Sequence, residues 1–200
     1  FIDFRINWYT ASVIIMTLSP GKIGTFFGFS KAKLRSTLLG GALVVGFGFM
    51  VAGILVKAAI FPVHIWLPAA YSYAPSAVST LLASIATKAA LYVLARILFT
   101  VFGGMPDVVT IALSNVIVPL AVGGVFVGTI MAIYEADIKK LFAHSSVAQI
   151  GYIALGLGLG TPASVSAAFI HIGNHALIKG GIFMAIGGFV AALGARASLN

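Results

Sequence analysis

Five residues that exchange protons readily, and a sixth beside them, stand inside otherwise apolar stretches of this sequence. Lys57 lies near the end of one run, in GILVKAAIFPVHIWLP. A terminal lysine can snorkel to a membrane surface. Pro62, however, cannot donate to the carbonyl of Ala58, and its ring clashes there. A helix through Lys57 is therefore expected to break, leaving a free carbonyl beside the lysine. If it resumes with His64 and Trp66 on its continuation, Lys57 sits at the negative end of a half-helix, which stabilises a cation. Lys88 lies near the middle of AVSTLLASIATKAALYVLARILF. A lysine at the centre of a membrane helix costs roughly 2.5–3.5 kcal/mol and usually faces a bundle interior or a water-filled cavity. Arg96 is nearer the end of that run and can snorkel.

The third constellation is FIHIGNHALIKGG, in which His171, His175 and Lys179 are spaced i, i+4, i+8 and share one helix face. Two histidines at i, i+4 can bind zinc, but no Glu or Cys joins them, and Lys179 would repel a divalent ion. Buried, internally satisfied histidines are the plain alternative. A stripe of titratable groups through an apolar helix better suits a proton relay, because imidazole titrates near neutral pH and has two exchangeable nitrogens. No metal is expected here. The four acids, Asp3, Asp107, Glu135 and Asp137, fall at termini or at the ends of apolar runs. Intramembrane lysines without a counter-ion are unfavourable, so a carboxylate is expected from elsewhere in a longer chain or from a neighbouring subunit. The same lack argues against a complete Na⁺ site, since hard cations want clustered oxygen ligands.

The composition says what must hold these residues. Of 200 residues, 60% are hydrophobic and only 8% are charged, against roughly 45–50% and 25% in soluble domains. Mean hydropathy is +1.12. So few charges cannot cover a soluble globule, and the chain reads as an integral membrane protein. Disorder, collagen and disulfide-stapled folds are excluded. With no cysteine, thiolate iron–sulfur and zinc sites are excluded too, and no cofactor is expected. The net charge of +8 would suggest nucleic acid in a soluble domain. Here several cations lie inside apolar runs, so nucleic acid is not a partner.

Along the chain, residues 8–19 are apolar but short of the ~20 residues a span needs. They read as the tail of a truncated helix, followed by a basic loop with Lys22, Lys31, Lys33 and Arg35. Spans are expected at about 37–60, 77–102, 108–133 and 163–193, with a short, Gly-rich one at about 146–159 behind a polar loop from Glu135 to His144. Period-2 alternation is lacking, so the spans are helices rather than barrel strands. Glycine pairs in GGALVVGFGFMVAG, GLGLG and GGIFMAIGG suit close helix approach. The expected fold is all-α: a polytopic bundle of five to six spans with one Pro-broken helix, and a fragment of a longer subunit. Residues 1–35 form a separate N-terminal segment, 36–193 the bundle with a proton path, and 194–200 a tail. Loop charges are too evenly divided to orient it.

Three strings in this order, VKAAIFPVHIWLPAAYSYAPSAVSTLLASIATKAALYVLAR, DIKKLFAHSSVAQIGYIALGLGLGTP and AAFIHIGNHALIKGGIFMAIGG, resemble the proton-conducting membrane transporter family. That family includes antiporter-like subunits of NADH–quinone oxidoreductase (complex I), of membrane-bound hydrogenases and of Mrp-type cation/proton antiporters. The likeness covers about residues 37–190; the first 35 residues match poorly. TKAALYVLAR and GLGLGTP lean toward the Mrp or hydrogenase branch. By resemblance, Lys57 matches the lysine before the break of a discontinuous helix, modulated by a glutamate of an earlier helix. Lys88 matches the central lysine of the next helix, and His171, His175 and Lys179 the titratable row leading toward an exit half-channel. His64 matches a polar position just past the break. The implied function is that of a translocase or antiporter subunit with no redox cofactor, passing protons along these residues. Desolvation favours a neutral amine and an approaching carboxylate its charged form, and alternating the two moves a proton. The implied partners are the bilayer, other membrane subunits and protons, with Na⁺ as an open second ion; a prokaryotic cytoplasmic membrane is the implied setting. Two rivals stand beside this reading: a stand-alone secondary transporter whose lysines bind an anionic substrate, and a non-transporting scaffold subunit.

Overall fold

A computed structural model describes residues 38–193. The run at 8–19, the basic loop 20–35, Asp3 and the tail 194–200 lie outside the described residues. Six helices follow in order. Helix α1 spans Leu38–Ala58 and α2 Trp66–Tyr73; α3 runs over Ser76–Val101 and α4 over Pro106–Ile133. Helices α5 (Ile138–Gly158) and α6 (Pro162–Leu193) complete the bundle. All but α2 are long and apolar enough to cross a membrane, and α2 continues the broken α1. Helix α6, with 32 residues, measures about 48 Å at 1.5 Å per residue and exceeds a ~30 Å hydrocarbon core.

Local chemistry sets the helix ends. Pro106 opens α4 at the first turn, where its missing N–H costs nothing, with Asp107 against the positive helix end. Asp137 caps α5, its carboxylate accepting from the backbone N–H groups of Lys139 (2.8 Å) and Lys140 (3.3 Å). Thr161 and Ser164 cap α6 reciprocally, each side-chain oxygen accepting from the other's backbone N–H. The cap at Asp137 corrects one expectation: Glu135 to His144 is not a loop throughout. Helix starts at Ile138, which draws Lys139, Lys140 and His144 into the fourth span.

The break falls between Ala58 and Trp66. Ala59 takes a positive φ of 57° and the Phe61–Pro62 peptide is cis. The carbonyl of Val56, one turn before the break, accepts from the indole N–H of Trp66 at 2.9 Å, so the tryptophan ties the two half-helices together. His64 lies within the break and α2 starts at Trp66, two residues later than a continuation carrying both would require.

Helix α5 packs against α4, α6 and α2, while α3 packs against α1 and α6. The core between them holds Tyr71, Leu91, Leu94, Ile97, Leu98, Ile150, Ile153, Leu157 and Phe183, all nearly or fully buried. With lipid outside, packing rather than water exclusion drives such contacts, and small residues set how close two backbones come. At the α4–α5 crossing a Cβ on Gly151 would stand 2.8 Å from the Ala121 carbonyl oxygen, and one on Gly128 2.6 Å from the Ala148 nitrogen. Only glycine fits either point. By contrast a Cβ on Gly41, Gly46 or Gly48 of α1 would meet nothing within 4 Å among the described residues.

Candidate functional site

Lys88 is placed by an irregularity in α3. Residues Leu82–Ala86 form a π turn, and such insertions often occur at functional sites. Thr80 just before this turn and Ser84 within it donate their hydroxyls to the carbonyls of Ser76 and Thr80, a bond type that bends helices. The Lys88 ammonium turns back to donate to the Ala83 carbonyl. The residue is 4% exposed.

Helix α6 brings His175 and Lys179 to the same interior, at 2% and 3% exposure. Lys88 lies near enough to Lys179, and His175 near enough to both lysines, for their charges to interact. Lys179 is anchored across to α5: its Nζ donates to the Phe142 carbonyl oxygen at 2.9 Å and the Ser145 hydroxyl at 3.1 Å. It also stands 5.2 Å from the centroid of the Phe142 ring, within cation–π range. Among the described residues neither ring nitrogen of His175 has a hydrogen-bond partner, and the buried hydroxyls of Tyr71 and Thr87 lie near enough to interact with each other.

His171, one turn before His175, is half-buried. Its Nε2 meets the Gln149 side-chain oxygen at 2.8 Å, and its ring stacks parallel to that of His175 at 6.1 Å. It borders an open groove of about 300 Å³ between α5 and α6, with Tyr152, Leu155, Leu159 and Ala168. The row therefore runs from a cluster of Lys88, His175 and Lys179 out to His171 at the lateral edge. Among the described residues no group of three or more His, Cys, Asp or Glu could hold a metal ion.

Lys57 is not part of this cluster. It occupies the last turn of α1 on the exposed side of the described bundle. His64 is 5% exposed, with its ring 5.7 Å from that of Phe61 and near enough to the Pro62 backbone to interact with it. It faces His144 of α5, near enough for their charges to interact. Arg96 is half-buried. His144, Ser145 and Gln149 are polar contributors that sequence reasoning missed. The signal was Asp137 as a helix cap ahead of Ile138, Leu141 and Phe142, which would have placed His144 and Ser145 on α5 with Gln149, already inside the expected span.

A bundle of apolar helices around a buried row of lysine and histidine defines a multi-pass integral membrane protein with titratable groups in its interior. Comparison with known proteins takes this further. The family model described as "NADH:quinone oxidoreductase/Mrp antiporter, TM" matches residues 11–199, and the chain belongs to that family of antiporter-like membrane subunits. It is 41% identical over 154 residues to NADH-quinone oxidoreductase subunit N of Desulforudis audaxviator, covering 77% of this chain and 30% of that protein. Subunit N of Erythrobacter litoralis is 32% identical over 179 residues, covering 89% and 34%. Among solved structures, the membrane-bound sulfane sulfur reductase, an archaeal respiratory membrane complex, superposes with a TM-score of 0.68 at 35% identity, covering 76% of this chain and 31% of that one. The Mrp complex from Dietzia sp. DQ12-45-1b gives 0.69 at 29% identity, covering 92% and 34%. The chain thus spans about a third of the length of these relatives. The similarity reaches subunit N as well as the Mrp and sulfane sulfur reductase complexes and does not single out one branch.

Proposed function

We propose that this segment carries part of a proton path through an antiporter-like subunit of a complex I-related or Mrp-type membrane complex. The path runs along Lys88, His175, Lys179 and His171, with His64 and Lys57 on the side of the broken helix. The observation that supports it is the buried Lys88–His175–Lys179 cluster, drawn from two helices and holding a histidine with both ring nitrogens unpartnered. Buried polar atoms in a purely structural site are satisfied by fixed partners, since an orphan costs about 1–3 kcal/mol. A group that must gain and lose a proton needs at least one free position.

Each carrier has a distinct task. Lys88 is held at the π turn through the Ala83 carbonyl, which accepts from the amine in either protonation state. His175 accepts a proton on one nitrogen and releases it from the other, as imidazole allows. Lys179 faces α5, where the Phe142 carbonyl and Ser145 hydroxyl receive its N–H groups. The subunits around the chain and the coupled driving reaction belong to the proposal equally: the path acts inside a multisubunit complex, without a redox group of its own. The test is Lys88→Ala in the parent complex reconstituted in liposomes with a pH-indicator dye inside. The expected result is loss of proton flux with the subunit still assembled. Wild-type flux in that variant refutes the path.

A further inference from the structure

Helix α5 turns a rail of hydrogen-bonding groups toward α6. The Phe142 carbonyl and the Ser145 hydroxyl receive the Lys179 ammonium at 2.9 and 3.1 Å. One turn further along α5, the Gln149 side-chain oxygen meets Nε2 of His171 at 2.8 Å. Rising numbers on α5 thus pair with falling numbers on α6, and the rail holds both ends of the α6 row. Its middle member, His175, has no hydrogen-bond partner on either ring nitrogen among the described residues. The rings of His171 and His175 lie within 9° of parallel, with centroids 6.1 Å apart. Two neighbouring imidazoles in one stack therefore differ in freedom: one is held at a single nitrogen and the other at neither.

An amide oxygen only accepts a hydrogen bond, so Nε2 of His171 carries the hydrogen and Nδ1 is left as the basic atom. We propose that Gln149 is a positioning residue that holds His171 in the Nε2–H tautomer, so that this ring exchanges protons through Nδ1 alone. The hydrogen bond made by one imidazole nitrogen sets the role of the other. The plain alternative is a glutamine–histidine bond that only fastens α5 to α6. Interhelical bonds of this kind contribute little in a membrane bundle. The same two helices are already joined at Lys179. They also meet closely at Gly156, where a Cβ would stand 3.1 Å from the Cβ of Ala168 and from the Ser164 carbonyl oxygen.

The proton balance follows from the tautomer. Nδ1 of His171 accepts a proton and the ring becomes an imidazolium, with Nε2–H still donating to Gln149. Release from Nδ1 restores the starting tautomer without a ring flip. The neutral amide does not take the Nε2 proton, so no proton crosses the ring from one nitrogen to the other while the bond lasts. His175, free at both nitrogens, is a carrier that a proton passes through. His171 is a station that takes up and gives out a proton at one atom.

The assignment rests on the proposed path through His171, and the experiment separates the two. Parent complex carrying isotope-labelled histidine is read by nitrogen NMR, the His171 signal being the one lost in His171→Phe. In the wild-type complex the neutral His171 ring is expected in one form, protonated at Nε2. In Gln149→Leu and Gln149→Met it is expected as a mixture of both tautomers. Met keeps the length of Gln and reads the role even if Leu prevents assembly. Initial proton flux in liposomes is expected to fall about tenfold or more in either variant with the subunit assembled, since a misdirected imidazole is a poor carrier. An unchanged Nε2–H form in these variants overturns the positioning role. A mixed tautomer with wild-type flux, alongside flux lost in Lys88→Ala, overturns its part in transport and leaves the path standing. Wild-type flux in Lys88→Ala refutes the path, and the histidine signal still decides whether Gln149 holds the ring.

Discussion

Lys179 separates the work of a positive charge from the work of a movable proton. Replacing it with Met keeps the length of the side chain and most of its packing, and removes two hydrogen bonds, at 2.9 and 3.1 Å, and the contact with the Phe142 ring. Little stability should be lost. The Phe142 carbonyl still accepts from the Ser146 hydroxyl at 2.8 Å, so no helix carbonyl is orphaned there. Hydrogen bonds to a charged group contribute about 1.5–3 kcal/mol each, and the cost of burying an ammonium, several kcal/mol, offsets most of that. The net change should lie within about 2 kcal/mol, small enough for the subunit to assemble. Transport should respond far more, because a missing acid–base carrier typically costs 10²–10⁴ in rate, about 2.7–5.5 kcal/mol of barrier. Proton flux in liposomes should therefore fall about a hundredfold or more in Lys179→Met. Lys179→Arg supplies the sharper comparison: it keeps the charge and the donors, but a guanidinium does not deprotonate in proteins. It should assemble and still be defective. Full flux in the Arg variant would show that Lys179 supplies a fixed charge, and full flux in the Met variant that it only anchors α6 to α5.

Two further outcomes follow from packing and charge. Gly151→Ala places a Cβ against the Ala121 carbonyl oxygen and the Val125 backbone, so α4 and α5 must separate at a cost of about 1–3 kcal/mol; a lower thermal midpoint of the purified complex checks this, and an unchanged midpoint refutes the crossing. A structure of the intact complex should place a carboxylate from outside residues 1–200 within about 4–6 Å of the Lys57 ammonium, the range over which an opposite charge favours the charged form; a Lys57 environment without one removes it from the path.

The apolar runs and the cations inside them were legible because both signals are local. Five spans follow from length and hydropathy alone, and Pro62 announces the break before any neighbour is considered. The i, i+4, i+8 spacing likewise put His171, His175 and Lys179 on one stripe. A helix of 3.6 residues per turn drifts about 40° for every four residues, however, so the stripe rotates. That drift leaves His171 at the groove edge while His175 and Lys179 are fully buried. The π turn ahead of Lys88 was not legible. Nothing in LASIA differs from ordinary helix in composition, and the same segment lines the contact with α6. His144 was lost for the opposite reason. Lys139, Lys140 and the polar residues after them lower the hydropathy of the first turns of α5, where the Asp137 cap outweighs it.

The charges divide the bundle into two unequal halves. On the α3–α6 side, Lys88 and Lys179 have carbonyl and hydroxyl oxygens as acceptors, and these stabilise an ammonium without fixing a proton on it. On the α1–α2 side, Lys57 has only the end of its own half-helix, on a face the described bundle leaves open. A cation in that position is held by the partial negative charge of the terminal carbonyls, worth about 0.3–1 kcal/mol near a surface and up to ~2 kcal/mol when partly buried. That is less than the roughly 2.5–3.5 kcal/mol cost of a lysine at the membrane centre. The shortfall has to be met by something that approaches the open face. A neighbour supplying negative charge there would favour a protonated Lys57, and its withdrawal would favour release. On the proposed path Lys57 is the carrier that an outside charge can reach, while Lys88, His175 and Lys179 are buried among the described helices.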